Sequence, residues 1–595
     1  MLHRPFARFA LLTLALTLAT QASAAPIPVE VVRDDRGHWQ LLRGGQPWPI
    51  RGAGGDASLE ALAAAGGNTI RTWGVDDDLG DTLDEAHRLG LAVVVGHWLG
   101  HERHGFDYGD VDMVAKQYAR VRRDVIAYRD HPALLMWGIG NEGEGFADGD
   151  DAAYWSHVQA VAAMVQELDP HHPTMSVTAD IGGARVEAIH RLCPDIDVFG
   201  VNTYGGLPSL PGRYREAGGA KPIVITEFGP PGTWETPRND FGVPLELTST
   251  AKAPIYREAF EQGCLDAGGL CLGGFAFLWG NKMEATATWF GMFLPTGEKL
   301  GAVDVMTEVW SGAPPDDLSP EIRSIEVLGP DVVAPGDRVE VHLDAFDPEG
   351  APLEVEWELR GESEVYETGG DAQMLPLALD GVITEASTTG ATLTMPGGGL
   401  YRLYVVVRDG NGGAATGNVP LKVDGPVAPV RYETPFVVYS DGETSPWVPS
   451  GWMGGHESLS MDPRSTVSPH AGSTCLEFTY DRPGYWAGVV WQHPPNDWGD
   501  QPGGFDLTGV ERLVFWARGA EGGERLDFGV GLLGDDKPYP DTVREERENV
   551  RLSTEWERYE IDLRGADLSR VKTPFWFSFE GRGRPMTFYL DDVRF

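Results

Sequence analysis

Cysteine is scarce in this chain, with four residues, at 193, 264, 271 and 475, among 595. That number excludes a disulfide scaffold, and neither a CxxC pair nor a Cys/His zinc spacing is present. Cys264 and Cys271 are close enough in sequence to bridge in an oxidising compartment; two reduced thiols flanking a helix-to-strand turn are the equal alternative. Basic charge is also short: 47 Lys and Arg stand against 89 Asp and Glu, a formal net charge of −42. Such a polyanion repels phosphate backbones and anionic lipid, so no nucleic-acid partner and no membrane partner is expected. Long apolar runs are missing after residue 24, and the longest apolar stretch, 268–280, is too short to span a bilayer. No GxGxxG turn follows the first strand pattern and no HExxH order occurs, which removes the usual dinucleotide and zinc-protease signatures.

What is present is a long chain with enough apolar content, 42%, for several packed cores. The 19 Trp and 17 Tyr suit sugars, whose apolar ring faces stack on aromatic side chains. His3, Arg4 and Arg8, an apolar run from Phe9 to Ala19 and the Ala22-Ser23-Ala24 sequence form a signal-peptide pattern. Residues 1–24 are therefore expected to be removed, giving a secreted or periplasmic protein with no membrane contact after cleavage.

Residues 28–312 alternate short apolar runs with amphipathic stretches. The runs are 48–54, 69–74, 91–98, 133–142, 174–180, 197–204, 222–229 and 273–281. Near-continuous Val/Ile/Leu runs indicate strands buried on both faces, and the stretches between them read as crossover helices. Eight such units predict a (β/α)8 TIM barrel; the weakest helix is the sixth, around Leu210–Glu216. After a Pro-Pro-Asp-Asp linker at 314–317, the pattern turns to strict alternation from 320 to 424, which predicts a small Ig/PKD-like β-sandwich. A second Pro-rich linker leads into 433–595, whose strand spacing predicts a C-terminal β jelly roll. The fold class is thus multidomain: a TIM barrel, an Ig/PKD-like β-sandwich and a jelly roll.

Reacting groups of such a barrel sit at the carboxyl ends of its strands. Glu142 closes the fourth run in Trp-Gly-Ile-Gly-Asn-Glu, and Glu227 closes the seventh in Ile-Thr-Glu-Phe-Gly. Two carboxylates facing each other across the mouth are what glycosidic cleavage needs: one protonates the leaving oxygen while the other attacks or stabilises the anomeric carbon. Glu144 is a rival for the first role. The loop after the third run, His97-Trp98-Leu-Gly-His101-Glu-Arg-His104, lacks a metal-site order, and His97, Trp98 and His101 are read as substrate contacts. Trp234 and Trp289, in the loops after the seventh and eighth runs, are either further sugar platforms or aromatic pins for those loops.

Asn141-Glu142 together with Glu227 resembles the retaining glycoside hydrolases of clan A, and the barrel most resembles that of glycoside hydrolase family 2. The resemblance implies Glu142 as general acid/base and Glu227 as nucleophile. It implies Asn141 as a donor to the sugar 2-hydroxyl and Arg71 as the charge beside Glu227. It also implies Tyr204 as a contact of the nucleophile and Trp279 as the floor under the sugar. Where many clan members have a His two positions before that Tyr, this chain has Asn202. Retention implies carboxyl groups about 5–5.5 Å apart. The expected activity is hydrolysis of a polysaccharide or oligosaccharide, β-glucan first, through a covalent glycosyl-enzyme and with no cofactor for catalysis. Transglycosylation by the same two Glu is the first alternative, and a non-catalytic sugar-binding protein is the second. The jelly roll resembles carbohydrate-binding modules, which implies a structural calcium near Asp441 and Asp591. Trp447, Trp452, Trp486, Trp491 and Trp498 include candidates for sugar stacking, and Trp516 is expected in the core. The middle sandwich resembles PKD or Ig-like spacers.

Overall fold

A computed structural model describes residues 25–425, 436–440 and 445–595, apart from 77, 145–147, 364, 367–369, 372, 374, 377, 380, 482–483, 502 and 582–583. The signal-peptide pattern at 1–24 lies outside the described residues. The chain divides into two compact units, Met1–Phe228 with Glu258–Phe277, and Gly229–Arg257 with Leu278–Phe595.

The first unit is built on eight parallel strands: β1 (Ile50–Gly55), β2 (Thr69–Arg71), β3 (Ala92–His97), β4 (Leu134–Asn141), β5 (Thr174–Ala179), β6 (Val198–Asn202), β7 (Ile223–Phe228) and β8 (Cys271–Trp279). They close into a barrel in sequence order. Every residue of β3 and β4 is buried, which is why these segments read as unbroken apolar runs rather than alternating ones. Ala92, Val94, Met136, Met175, Val177, Val198, Val224 and Phe275 fill the interior. Before the barrel, Val29–Arg33 and Trp39–Arg43 form an antiparallel hairpin whose Val29 and Leu41 join that same core.

Crossover helices α1 (Leu59–Ala64), α2 (Leu79–Arg88), α3 (Val111–Tyr128), α4 (Ala152–Leu168), α5 (Arg185–Leu192) and α6 (Leu210–Glu216) follow β1 to β6. Their starts are set by side-chain caps. Ser58 accepts from the Ala61 amide, Asp110 from Asp112 and Met113, and Asp151 from Ala153. The sixth crossover is a short helix extended at its start by a 3-10 turn, Leu207–Ser209. α7 (Ser249–Phe260) precedes β8, and the turn between them is closed by a Cys264–Cys271 disulfide.

The second unit holds α8 (Gly301–Ser311) and four antiparallel-rich sheets. Two of them, with strands between Glu321 and Val423, make a sandwich around Trp357, Leu359, Leu393, Leu403, Val407 and Leu421. Lys299–Leu300 adds a parallel strand to Gly413–Ala414 of that sandwich. The other two sheets, six- and five-stranded, enclose an aromatic core that includes Phe478, Trp491, Phe515, Phe528, Phe577 and Phe588. Trp516 departs from its expected place: Leu513, Phe515 and Ala517 point into the core, so the strand's period of two turns Trp516 outward, where it stacks on His470 at 3.7 Å. Trp447 and Trp491 are core residues, whereas Trp486 is 38% exposed. Among the described residues no helix is long and apolar enough to cross a membrane.

Candidate active site

Glu227, one residue from the end of β7, is 6% exposed and is held by three donors. Arg71 at the end of β2 gives Nη1 to its Oε1 at 3.1 Å, Trp73 gives Nε1 to the same oxygen at 2.8 Å, and Tyr204 gives its hydroxyl to Oε2 at 2.8 Å. Arg71 is itself buried, and a second Nη1 contact to the Thr226 carbonyl, 2.9 Å, fixes its fork against β7. Charge-assisted bonds of this kind are the strong ones, and both oxygens receive at least one.

Glu142 follows β4 in a left-handed backbone conformation, φ 51°, with its amide bonded to the Val177 carbonyl of β5 at 2.9 Å. Its Oε1 accepts from Asn202 Nδ2 at 2.7 Å. Burial, and next the negative charge of Glu227, push its pKa up from 4.5 to about 8, against the pull of Asn202 and Arg71. Asn141 connects the two acids: its Oδ1 accepts from Arg71 Nη2 at 2.6 Å and from Asn202 Nδ2 at 3.2 Å. Asn202 is oriented in turn by the Thr226 hydroxyl, which donates to its Oδ1 at 2.7 Å. A continuous chain of hydrogen bonds thus runs Glu142–Asn202–Asn141–Arg71–Glu227. It requires Asn202 to be an amide, whose Nδ2 serves both Glu142 and Asn141, while Asn141 uses its oxygen alone to accept from both Arg71 and Asn202.

Glu144 takes no part in this chain. Its Oε1 accepts from the Ala179 amide at 2.8 Å and Arg185 Nε at 2.9 Å, which ties the segment after β4 to the end of β5. His101, read from the sequence as a substrate contact, is 2% exposed and turned inward. Arg103 Nε faces its Nδ1 at 3.3 Å, so Nε2 carries the proton and donates to the Asn141 carbonyl at 2.9 Å. Trp98 is half-buried and stacks on the His101 ring at 4.6 Å. His97 is 3% exposed, stacks on Trp137 at 5.2 Å, and is held neutral by burial, which brings its pKa down to about 3. In the second unit Trp279 is fully buried, edge-on to Phe293 at 4.9 Å.

The sequence reading missed Trp73, although it lies two residues after Arg71 in the same Thr-Ile-Arg-Thr-Trp-Gly run. Gly54 makes room for it, since a Cβ there would stand 2.9 Å from the indole. Among the described residues no group of three or more His, Cys, Asp or Glu is arranged to hold a metal. Asp441 lies outside the described residues. Asp591 is engaged by backbone N–H groups, its oxygens accepting from the amides of His470, Ala471 and Asp592.

A closed eight-stranded parallel barrel with an acid after β4 and a donor-bound carboxylate on β7 is a TIM barrel with the two-carboxylate arrangement of glycoside cleavage. Residues 83–235 match the family described as glycosyl hydrolases family 2, TIM barrel domain. No curated protein matches the chain. Similar solved structures include a β-D-glucuronidase from Dictyoglomus thermophilum, 19% identical with a TM-score of 0.38, covering 48% of this chain and 54% of that one. A family 2 β-galacturonidase from Eisenbergiella tayi is 17% identical with a TM-score of 0.38, covering 49% and 54%. An endo-β-1,4-mannanase from Thermotoga petrophila is 13% identical with a TM-score of 0.32, covering 64% and 99%. The chain spans about half the length of the first two.

Proposed function

We propose that this protein is an exported, retaining β-glycoside hydrolase, with Glu142 as acid/base and Glu227 as nucleophile. The observation that carries the reading is the contrast between the two carboxyls. Glu227 is gripped by Arg71, Trp73 and Tyr204, whereas Glu142 keeps its proton to about pH 8. In the first step Glu142 gives its proton to the glycosidic oxygen as that bond breaks, and Glu227 forms an ester bond to the anomeric carbon. The ester removes the negative charge of Glu227, so the proton affinity of Glu142 drops. Glu142 then takes a proton from water, whose oxygen attacks the anomeric carbon and frees Glu227.

A neutral sugar suits the site. Arg71 at the end of β2, Arg103 in the segment after β3, and Arg120, Arg185 and Arg213 on α3, α5 and α6 already have protein partners: Glu227 and Asn141 for Arg71, His101 for Arg103, the Trp98 carbonyl for Arg120, Glu144 for Arg185 and Asp180 for Arg213. This supports β-glucan over a uronide as the first substrate to test. The signal-peptide pattern at 1–24 and the Cys264–Cys271 bridge support export to an oxidising compartment.

The test is the mature protein on β-linked glucans, mannans, xylans, galactans and aryl β-glycosides, glucuronides included, with Glu227→Ala alongside. Products that retain configuration, and their loss in Glu227→Ala, are expected. Inversion would overturn the nucleophile assignment. Binding without turnover on any substrate would leave a sugar-binding scaffold instead.

A further inference from the structure

Glu142 stands on a backbone that does not hold itself, since a left-handed glutamate is disfavoured. What fixes it is the peptide group between Asn141 and Glu142, which is pinned on both edges. Its N–H, the Glu142 amide, donates to the Val177 carbonyl at 2.9 Å. Its oxygen, the Asn141 carbonyl, accepts from His101 Nε2 at 2.9 Å. A peptide group is planar, so bonds on opposite edges set its tilt. The tilt in turn sets φ of Glu142 and the direction in which its carboxyl leaves the chain. One of these bonds comes from a neighbouring strand of the barrel. The other comes from a side chain in the segment after β3.

That segment is built around His101. The imidazole lies parallel to the rings of Trp98, 4.6 Å away, and His104, 5.5 Å away. Arg103 Nε approaches Nδ1 at 3.3 Å, which occupies the lone pair there and leaves the proton on Nε2. The His101 carbonyl accepts from the amides of His104 and Phe106, at 2.9 and 3.2 Å, and closes a turn. Gly100, beside it, is clamped at both backbone groups. Its amide donates to Gln117 Oε1 at 2.7 Å, and its carbonyl accepts from the Tyr108 hydroxyl at 2.7 Å. Gln117 belongs to α3 and meets His157 Nε2 of α4 at 3.1 Å. The helices therefore anchor Gly100, and Gly100 anchors His101. All of these residues belong to the first unit.

A histidine that bound sugar would present a nitrogen to the barrel mouth. Both ring nitrogens of His101 face protein groups instead, and the residue is 2% exposed. We propose that His101 is a positioning residue for the proton donor: through the Asn141 carbonyl it sets the Asn141–Glu142 peptide and so aims the Glu142 carboxyl at the glycosidic oxygen. Arg103, Gln117 and Tyr108 hold the imidazole and its Nε2 proton at that carbonyl. The inference rests on Glu142 being the acid/base, and it gives His101 no contact with substrate.

The experiment compares leaving groups. A phenolate departs from an aryl glycoside with help from a proton donor, whereas a dinitrophenolate departs without one. Because kcat/KM reports the first step, a misplaced donor harms the first substrate and spares the second. His101→Phe, which keeps a flat ring and removes the donor, is assayed in the full mature chain on phenyl and dinitrophenyl β-glycosides, glucosides first. On the phenyl glycoside kcat/KM is expected to fall about tenfold to thirtyfold, the effect of one lost hydrogen bond that leaves a buried carbonyl unpaired. On the dinitrophenyl glycoside it is expected to stay within about threefold. His101→Gln, which restores an N–H donor, is expected to recover the phenyl glycoside to within about threefold of native. An equal loss of kcat/KM on both substrates in His101→Phe, or native activity of that variant on the phenyl glycoside, overturns the proposal. If His101→Phe does not fold, Tyr108→Phe removes only the donor to Gly100 and carries the same comparison, with about fivefold expected on the phenyl glycoside and less than about twofold on the other. Amides in 138–144 are expected to exchange with deuterium about tenfold faster in His101→Phe, while those of β7 keep their rates. A native protein inactive on every glycoside overturns the function proposed above; the exchange measurement still decides the hold of His101 on the peptide, and unchanged exchange in 138–144 overturns it.

Discussion

Removing the charge of Glu227 without changing its shape, by Glu227→Gln, tests the electrical coupling on which the two-step mechanism depends. Glu142 stands at about 8 because burial disfavours its charged form and Glu227 adds repulsion. At the roughly 5.5 Å separation of a retaining pair, an effective dielectric of about 20 gives a repulsion of about 3 kcal/mol. That equals about 2 pH units, so Glu142 should fall from about 8 to about 6 in the variant. Burial is the larger cause and is untouched, which is why the value should stop well above the ordinary 4.5. Carboxyl difference infrared titration of Glu227→Gln against Glu227→Gln/Glu142→Gln reads the group directly. The native enzyme should lose kcat/KM as pH rises through about 8, because the proton donor is then gone. A Glu142 pKa that moves by less than about half a unit in Glu227→Gln refutes the coupling. A native value near 4.5 refutes the acid assignment altogether.

The same proton affinity makes Glu142 a cost to folding at high pH. Native Glu142 holds its proton to about 8 and the unfolded chain releases it near 4.5, so stability falls between those values, and Glu142→Gln should raise it at pH 9 by up to about 5 kcal/mol and leave it unchanged at pH 4 in denaturant titrations. Trp73→Phe keeps the ring but deletes the donor to Glu227; loss of one hydrogen bond to a charged group predicts a kcat about tenfold to a hundredfold lower, and unchanged kcat would show that the contact does nothing in the transition state. Cys264→Ala/Cys271→Ala opens a loop of sequence separation 7 and should cost about 2.5 kcal/mol in chemical unfolding with turnover retained; equal stability of the two forms would show that the bridge leaves the unfolded chain unconstrained.

The barrel was legible because burial on both faces writes a strand as an unbroken apolar run, and each of the eight runs contains or overlaps an observed strand. The strand-end placement of Glu142 and Glu227 was legible because each closes an unbroken apolar run. The bond from Trp73 to Glu227 was not, since an aromatic residue after a strand is as often packing as polar contact. The inward turn of His101 was equally hidden, because it depends on a carbonyl 40 residues away. The loops after β7 and β8 were assigned to the barrel domain, yet they pack with the sandwich through contacts such as Asn418 to Glu246, 172 residues apart in sequence. No local pattern encodes such a pairing. Trp516 shows a smaller error of the same origin, a strand identified while its inward phase was not.

The strand end at β4 explains why the acid sits where it does. Successive residues of a strand point to opposite faces, so Asn141 and Glu142 in a regular strand could not reach the same neighbour. Both nevertheless touch Asn202 Nδ2. The pairing of β4 with β5 slips between Gly138 and Asn141, Gly140 turns to φ 75°, and Glu142 follows at φ 51°. A left-handed glutamate costs about 1–2 kcal/mol, and the structure holds it with the Glu142 amide on Val177 and the Asn141 carbonyl on His101. Gly140 cannot be replaced without conflict, because a Cβ there would lie 2.8 Å from the Tyr154 hydroxyl. A matching slip occurs between Ile225 and Glu227 where β7 pairs with β6. Backbone irregularity at both strand ends thus does what side-chain choice alone cannot: it brings the last residue of β4 and the one that follows it to the same neighbour and joins them, through Arg71, to the carboxylate of β7.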